Sequence, residues 1–551
     1  MCGFIGRIAR GGDPRDLSKS LPWIRRRGPD SQRMWTSADG QVQLLHARLA
    51  IVDKDSRAIQ PLADASGCTV ACFSGEIYNY AELRQKLGPY PYRTASDTEV
   101  ILAAYTLHGM DGIRLLKGMF SLVIVDDTKK RIILARDPIG KKPLILARWG
   151  GQVFFGTNLV PLVAAYGKAV PLSETAAPDF WKHGFIPPHV SALCAAAPVQ
   201  PGCLLELDWS GQVLQNGRCE PEPQVLYSGE PLAEVQKRLK VLLKQAVQKR
   251  LENNPSPTLL LSGGIDSTVI AAIAQGLCEG WAGRPPLKIL TLGAIFPGLN
   301  DELFALYVGR RIGINVEVIR PRWCSIPEAV LRAIDLQDEP LGMISFFPLE
   351  RLVHAAAQRS KILISGDGGD EIFLGYGKPE DWRKGTSLSD SEWMSEWGKR
   401  VITVDLVGHV FPKLDRASAE QGVEIRCPLL DWDLVSYAQS LPFNMITHGN
   451  CTKALLKDQL AGWPAWFVNR PKMGFFYNLR WLWASSGYAG LRETIDDQAV
   501  DFFKRFLPDA LFKKPSKWET SVIFRHFEAC WQLLVWSRFL RRINTARISP
   551  L

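Results

Sequence analysis

The sequence has few of the features that mark a special class of protein. Its 551 residues include 11 cysteines, but these form no C-x-x-C pair and show no His/Cys spacing of a zinc site. Scattered thiols of odd number favour a reducing compartment over a disulfide framework, so we expect the cytoplasm. Nothing at the start resembles a signal peptide. No apolar run is long enough to cross a bilayer, and there is no internal repeat.

Charge of one sign is not concentrated anywhere in the chain. Lys and Arg number 66 and Asp and Glu 56, a net charge of +10, and the basic residues are spread along the sequence. We therefore expect no nucleic-acid and no membrane partner. The densest basic run, residues 538–547, is interpreted as a solvated tail or helix end. The length exceeds one ordinary core, which predicts two large domains.

Residues 1–215 have the pattern of a layered α+β domain. Helical apolar spacing covers residues 99–108. A polar segment with Pro and Gly, residues 216–231, is interpreted as a linker, and residues 232–251 form an amphipathic helix. Before the linker, strands are predicted at residues 42–45, 70–73, 120–126, 131–136 and 152–156.

Residues 232–551 change to a pattern of strand, glycine-rich loop and helix. Alternating strands and helices indicate a parallel, doubly wound sheet, whose ligands bind at the carboxyl ends of strands. Helices that carry tryptophans for packing are expected after residue 377, including Trp463, Trp466, Trp481, Trp483, Trp531 and Trp536. The predicted strands are residues 258–261, 288–292 and 361–364, with a helix at 268–274.

Cys2 is the first residue with chemical meaning. Removal of Met1 would leave a thiol and a free α-amine on one residue, which can act as nucleophile and base. Alone, such a start is better explained by a buried structural cysteine. Its context resembles the N-terminal-nucleophile glutaminase domain of class II amidotransferases, through residues 2–6 (CGFIG), 27–30 (RGPD), 46–53 (HARLAIVD), 75–79 (GEIYN) and 96–97 (SD).

This resemblance implies an αββα sandwich in which Cys2 attacks the side-chain amide of glutamine. Arg48 would bind the α-carboxylate of glutamine and Asp97 its α-ammonium. Gly75 would donate a backbone N–H to the oxyanion, and Glu76 would contact the substrate. The family has Asn where this chain has Ser74. A hydroxyl is a shorter donor, so we expect slow glutaminase activity, or activity that depends on loading of the second domain.

Residues 261–267 (LSGGIDS) follow a predicted strand and open a helix. The loop lacks the ending of a Walker A motif, yet its N–H groups can bind phosphates. It resembles the PP-loop of N-type ATP pyrophosphatases, which cut ATP between the α and β phosphates and form an acyl-adenylate. The resemblance assigns a Mg²⁺ ligand to Asp266. It assigns ATP binding to Leu261, Ser262, Gly263, Gly264, Asp266, Ser267, Leu292, Ser365 and Gly366.

A second loop, residues 365–376 (SGDGGDEIFLGY), resembles the signature of asparagine synthetases, and residues 413–416, 424–431 and 470–475 continue it. Asp370 would be the second Mg²⁺ ligand, and Lys453 would stabilise the departing pyrophosphate. Asp367 stands where asparagine synthetases commonly have Glu, the base for the attacking ammonia. Because Asp is one methylene shorter, it weakens the assignment of aspartate as acceptor but not the reaction class.

The sequence is thus identified as a member of the glutamine-hydrolysing asparagine synthetase family. The implied fold is an α+β glutaminase domain followed by an α/β doubly wound, adenine-nucleotide-hydrolase-like synthetase domain. Expected ligands are glutamine, ATP, Mg²⁺ and aspartate. The alternatives are another carboxylate from polysaccharide, peptidoglycan or secondary metabolism, a cyclase with an internal amine, and a non-catalytic role. Two sites in one chain predict a largely apolar ammonia passage between them. A homodimer stays open.

Overall fold

The computed structural model describes residues 1–9, 17–252, 256–281, 286–293, 301–320, 326–377, 381, 387–470, 495–504 and 526–548. None of the helices in these ranges is both long and apolar enough to span a membrane. Part of the predicted C-terminal pattern, including Lys472, Trp481 and Trp483, lies outside the described residues.

The N-terminal half of the chain forms twelve strands within the described ranges. These are β1 (Gly3–Ile8), β2 (Ser31–Thr36), β3 (Val42–Arg48), β4 (Leu62–Ala63), β5 (Thr69–Ile77), β6 (Gly118–Asp126), β7 (Arg131–Arg136), β8 (Ile145–Trp149), β9 (Gln152–Gly156), β10 (Ala196–Pro198), β11 (Cys203–Asp208) and β12 (Val213–Arg218). One sheet has the order β10-β8-β9-β1-β3-β2 and the other β12-β11-β7-β6-β5-β4. All the paired strands in both sheets are antiparallel, for example β5 with β6 from Thr69↔Asp126 to Ile77↔Gly118.

The helices of this half cover the outer faces of the two sheets. They are α1 (Leu21–Ile24), α2 (Tyr80–Lys86), α3 (Asp97–Arg114), α4 (Leu159–Tyr166) and α5 (Ala176–His183). Side chains on a strand alternate between faces. In β6, Leu122 and Ile124 pack in the cluster that includes α3, whereas Val123 and Val125 pack against the other sheet. The layers are therefore αββα, as predicted.

The C-terminal half contains a five-stranded parallel sheet. Its strands are β13 (Thr258–Leu260), β14 (Lys288–Leu292), β15 (Val316–Ile319), β16 (Ile362–Ile364) and β17 (Glu424–Arg426). Their order is β15-β14-β13-β16-β17. The order reverses between β13 and β16, which pair directly through Thr258↔Leu363. In doubly wound sheets this switch point is where ligands bind.

The helices around this sheet continue the numbering of the first half. They are α6 (Leu232–Leu251), α7 (Ile265–Glu279), α8 (Asp301–Arg311), α9 (Ile326–Asp335), α10 (Phe346–Ala357), α11 (Gly369–Ile372), α12 (Asp390–Arg400), a π-helix (Val401–Val410), α13 (Phe411–Glu420), α14 (Trp432–Ser440), α15 (Phe443–Ile446), α16 (Ala454–Asp458), α17 (Ala465–Val468), α18 (Asp497–Phe502) and α19 (Phe527–Ile548). The 3₁₀ helices are Leu17–Ser20, Ser56–Ala58, Pro428–Leu430 and His448–Asn450.

Several predicted elements differ from the structure at their ends. The start of the predicted linker, from residue 216, belongs to β12, because pairing with β11 holds this polar edge strand through Cys203↔Arg218. The basic run 538–547 forms the last part of α19, so it is the helix end of the prediction and not the solvated tail. Leu540 is buried there, and Arg538 Nε donates to Asp335 Oδ1 at 2.6 Å. Helix α19 packs on both α4 and α9 and so joins the two halves.

Tryptophans serve packing, as predicted, at the two C-terminal positions described. Trp536 is fully buried and stacks on Phe502 with ring centroids 5.3 Å apart, and Trp531 is also buried. Trp466 differs, since 58% of its surface is exposed.

Candidate functional site

The first site is a small pocket around Cys2, which we call the Cys2 pocket. Cys2 directly precedes β1, and the N–H of Leu49 donates to its Sγ at 3.3 Å. Burial raises the pKa of the Cys2 thiol, so the reactive thiolate needs a base. The pocket brings together residues that are far apart in sequence and that the motifs predicted, namely Cys2, Arg48, Gly75, Glu76 and Asp97.

The edge of β5 presents a backbone donor to this pocket. In an antiparallel ladder, alternate N–H groups point away from the partner strand. At this edge the N–H of Phe73 donates to Gln60 Oε1 at 2.6 Å. The N–H of Ile77 donates to Asp97 Oδ2 at 3.3 Å. Gly75 lies between them in the same orientation, so its N–H faces the pocket. A Cβ there would lie 1.8 Å from a carbonyl oxygen of β6, so the position requires glycine.

Ser74 is fully buried, but its hydroxyl is used elsewhere. Ser74 Oγ donates to the carbonyl oxygen of Cys2 at 2.7 Å. Arg27 Nε donates to the same oxygen at 3.0 Å. Ser74 therefore positions the backbone of Cys2 in this structure. This contact competes with the predicted role of Ser74 as an oxyanion donor, because one hydroxyl proton cannot serve both acceptors at once, and that role stays a prediction.

The charged residues predicted for glutamine are held by backbone groups. Arg48 Nη1 donates to Asp55 O at 3.1 Å, and its other terminal nitrogen donates to Asp53 O. Asp97 is the first residue of α3, where the helix N-terminus favours a carboxylate. Burial nevertheless raises the pKa of Asp97 to about 7. A cationic ligand group would therefore have to draw Asp97 into its ionised form.

The second half of the chain completes the wall of the Cys2 pocket. Glu424 of β17 lines the pocket. Arg426, two residues further on, joins the halves, since its Nη2 lies 2.6 Å from Glu76 Oε2 and its Nε lies 3.0 Å from Glu424 Oε1. All three side chains are buried. Glu424 and Arg426 both belong to the predicted segment 424–431, but nothing in the sequence places them beside Cys2.

The second site lies at the switch point between β13 and β16. The loop after β13 contains Ser262, whose Oγ accepts from Gly264 N at 3.2 Å. The loop after β16 packs directly on it, because a Cβ on Gly366 would lie 2.6 Å from Ser267 N. Only a residue without a side chain allows this approach. Both loops line one cavity of about 360 Å³, which we call the switch-point cavity.

Two carboxylates in the switch-point cavity converge on one cation. Lys453 Nζ lies 2.6 Å from Asp266 Oδ2 and 2.6 Å from Asp370 Oδ1. Burial lowers the pKa of Lys453, but the two carboxylates outweigh it and raise the pKa. Oxygen ligands converging on one point also suit Mg²⁺, which binds one or two carboxylates together with phosphate oxygens. The predicted pair Asp266 and Asp370 thus fits this ion.

Asp367 lines the same cavity beside a second lysine. Lys413 Nζ lies 3.7 Å from Asp367 Oδ1, and Ser365 Oγ donates to the other carboxylate oxygen. Lys413 belonged to a recognised segment, but only the structure places it at Asp367. Tyr376 and His409 also line the cavity without a predicted role.

Three of the residues predicted to bind ATP, Leu261, Gly263 and Leu292, are not on the wall of this cavity. Leu261 and Leu292 are buried, and neither is among the described residues that line the cavity. Its apolar wall includes Leu260, Met343 and Leu349. Contact of Leu261 and Leu292 with adenine stays a prediction.

Both halves of the chain match known protein families. Residues 1–216 match the glutamine amidotransferase domain family. Residues 238–402 and 377–541 match the asparagine synthase family, more than half of the chain. The chain belongs to the asparagine synthase family. The glutamine amidotransferase match covers the N-terminal half with its two antiparallel sheets. The asparagine synthase match covers the C-terminal half with its parallel sheet.

Relatives align over most of the chain at low identity. The glutamine-hydrolyzing asparagine synthetase 1 of Bacillus subtilis is 28% identical, over 68% of this chain and 59% of its own length. The putative enzyme of Mycobacterium tuberculosis H37Rv is 25% identical, over 91% and 92%. The Zea mays enzyme is 27% identical, over 91% and 81%. The match thus spans less than two thirds of the Bacillus protein.

Proposed function

We propose that this chain is a glutamine-hydrolysing asparagine synthetase, which converts aspartate, glutamine and ATP into asparagine, glutamate, AMP and pyrophosphate. The observation that carries the proposal is the pairing of two sites across one interface. A pocket with an unused N–H and charged groups for both ends of glutamine lies beside β17. The switch-point cavity, with two carboxylates and Lys453, lies at the end of the neighbouring strand β16.

The first reaction takes place in the Cys2 pocket. After loss of Met1, the α-amine of Cys2 takes the thiol proton, and Sγ attacks the amide carbon of glutamine. The carbonyl electrons move to oxygen, which the N–H of Gly75 stabilises. Ammonia leaves with the proton held by the amine. Water then cleaves the thioester and releases glutamate. Met1 is buried, with its α-amine 3.1 Å from Val423 O, so its removal must precede completion of folding.

The second reaction takes place in the switch-point cavity. A carboxylate oxygen of aspartate attacks the α-phosphorus of ATP, and pyrophosphate leaves toward Lys453. Ammonia then attacks the acyl carbon, AMP leaves, and Asp367 accepts the proton from the nitrogen. Mg²⁺ held by Asp266 and Asp370 would neutralise phosphate charge. Lys413 Nζ, 3.7 Å from Asp367 Oδ1, lies next to this base.

Ammonia passes between the sites inside the protein in this proposal. The proposed path runs from the Cys2 pocket past β17 to the loop after β16, two elements that are joined where Ser365 N donates to Arg426 O at 3.0 Å. The wall at the glutaminase end is charged rather than largely apolar, because Glu76, Glu424 and Arg426 are buried there. An enclosed path keeps ammonia unprotonated and water away from the adenylate.

The domain division and the compartment are also proposed. We propose that the linker lies within residues 216–231: residues 216–218 end β12, and the segment after them packs on α14, where Tyr227 N donates to Ser440 Oγ at 2.8 Å. The described cysteines other than Cys278 are free thiols, which favours a reducing cytoplasm.

Pyrophosphate release from purified protein with ATP and Mg²⁺ tests the proposal. Release should require aspartate, and asparagine should form with either glutamine or ammonia as nitrogen source. Glutamine hydrolysis without any response to aspartate would reject aspartate as acceptor and leave the other carboxylates. Absence of both activities would reject the enzyme assignment.

A further inference from the structure

The Cys2 pocket has one oxyanion donor fewer than its chemistry calls for. The family's Asn is replaced by Ser74, whose hydroxyl donates to the carbonyl oxygen of Cys2. The N–H of Gly75 remains. Loss of one such donor typically lowers kcat about 10²–10³-fold, so a second donor from another residue would raise kcat by a similar factor.

Gln60 lies in the right place to provide one. It lines the pocket together with Cys2 and Gly75, and only 3% of its surface is exposed. Its Oε1 accepts from the N–H of Phe73 at 2.6 Å. Because a backbone N–H can bond only to the oxygen, this contact fixes which way the amide group is turned. The Nε2 group must then point away from Phe73.

The Nε2 of Gln60 is a donor without an acceptor. Among the described residues, this nitrogen makes no hydrogen bond, and the atom is not fully buried. Phe73 and Gly75 are two residues apart on the same edge of β5, a separation of about 7 Å. An amide anchored at the first N–H can therefore place its free N–H₂ beside the second.

We propose that Gln60 is a catalytic residue of the glutaminase reaction, whose Nε2–H donates to the oxyanion together with the N–H of Gly75. Gln60 thereby replaces the donor that Ser74 no longer supplies. This inference rests on the proposed glutaminase function and adds a residue to it.

The variant Gln60→Glu tests the donor most directly. It keeps an oxygen that accepts from Phe73 but replaces the N–H₂ with a second oxygen. At pH 8, kcat for glutamine hydrolysis should fall about 100-fold with little change in KM. Inhibition by glutamate γ-semialdehyde, whose thiohemiacetal carries the oxyanion, should weaken by a similar factor. Ammonia-dependent synthesis, which does not use this pocket, should be unchanged.

A second variant and a matched control separate catalysis from folding. Gln60→Leu removes both polar atoms, and Ser74→Asn in that background should restore much of the lost kcat by returning the family's donor. Gln200→Glu makes the same chemical change at a half-buried glutamine outside the pocket, where Nε2 donates to Pro188 O at 2.8 Å. That variant should hydrolyse glutamine normally.

The outcomes are distinguishable from failure of the proposed function. A wild-type protein that hydrolyses glutamine, with Gln60→Glu equally active and equally sensitive to the semialdehyde, would overturn the role of Gln60 alone. A Gln60→Leu variant that Ser74→Asn fails to rescue, while Ser74→Asn alone hydrolyses glutamine at the wild-type rate and thermal unfolding is normal, would overturn it too. A wild-type protein that hydrolyses no glutamine would overturn both proposals.

Discussion

The two sites of this chain are built in different ways. The Cys2 pocket is small and enclosed, and strand edges, a helix start and a residue of the other half supply its groups. The switch-point cavity is larger, at about 360 Å³, and two glycine-rich loops form its floor. The floor holds the residues that are predicted to bind phosphate, whereas the rest of the wall comes from separate helices such as α10 and α13.

The difference shows which parts of the chemistry produce a recognisable sequence motif. Phosphate chains and carboxamides demand fixed donors at close range, so glycines and carboxylates recur at fixed spacing in both sites. Other side chains of the switch-point cavity, such as Met343 and His409, come from separate elements and belong to no recognised motif. Variants of either site should therefore show whether the activity of one site can be lost while the activity of the other is kept.

Cys2→Ala should separate the sites completely. Without the nucleophile, glutamine hydrolysis and glutamine-dependent synthesis should fall at least about 10⁴-fold. Synthesis with ammonium chloride should stay near the wild-type rate, because the switch-point cavity is unchanged. Assays of asparagine with both nitrogen sources check this. Equal loss with ammonia would mean that the sites cannot work apart.

Asp266→Asn should have the converse effect. Removing one carboxylate from the pair that faces Lys453 leaves Mg²⁺ and phosphate poorly held, so pyrophosphate release should drop about 10²–10³-fold. Glutamine hydrolysis measured without ATP should continue. A variant that loses glutaminase activity to the same extent would contradict independent chemistry in the two sites.

Much of the fold followed from local pattern. Strong alternation predicted β7, β9 and β14, and the helical stripe predicted α6, each with the observed ends. Both sites were predicted from residues that chemistry fixes, such as Cys2 and Lys453. Neighbours that tertiary packing alone brings together were missed. Gln60 lies in no recognised motif, and the contact of Arg426 with Glu76 joins residues 350 positions apart.

Glutamine use should depend on pH through Asp97. The pKa of its carboxyl is raised to about 7 by burial, so below pH 7 it is mostly neutral and loses its attraction for the α-ammonium of glutamine. For glutamine hydrolysis, kcat/KM should therefore fall about tenfold per pH unit below 7 and level off above it. Asp97→Asn should be weak at every pH and lack this transition. A transition of the same midpoint in Asp97→Asn would assign it to another group.

Lys361→Ala should have the smallest effect. Lys361 Nζ lies 2.8 Å from Asp30 Oδ2 across the interface, but half of the lysine side chain is exposed to solvent. An exposed ion pair contributes under about 1 kcal/mol, so the free energy of unfolding and both activities should be nearly unchanged. Chemical denaturation measures this. A large loss of glutamine-dependent synthesis alone would show that this contact holds the passage together.

Transfer of nitrogen between the sites tests the account most directly. Purified protein is given aspartate, ATP, Mg²⁺ and glutamine labelled with ¹⁵N in its side-chain amide, together with excess unlabelled ammonium, and the asparagine is analysed by mass spectrometry. With an enclosed passage between the two sites, the asparagine should carry mainly the glutamine label. Label diluted to the proportion of free ammonium would contradict an enclosed passage and leave two independent sites on one chain.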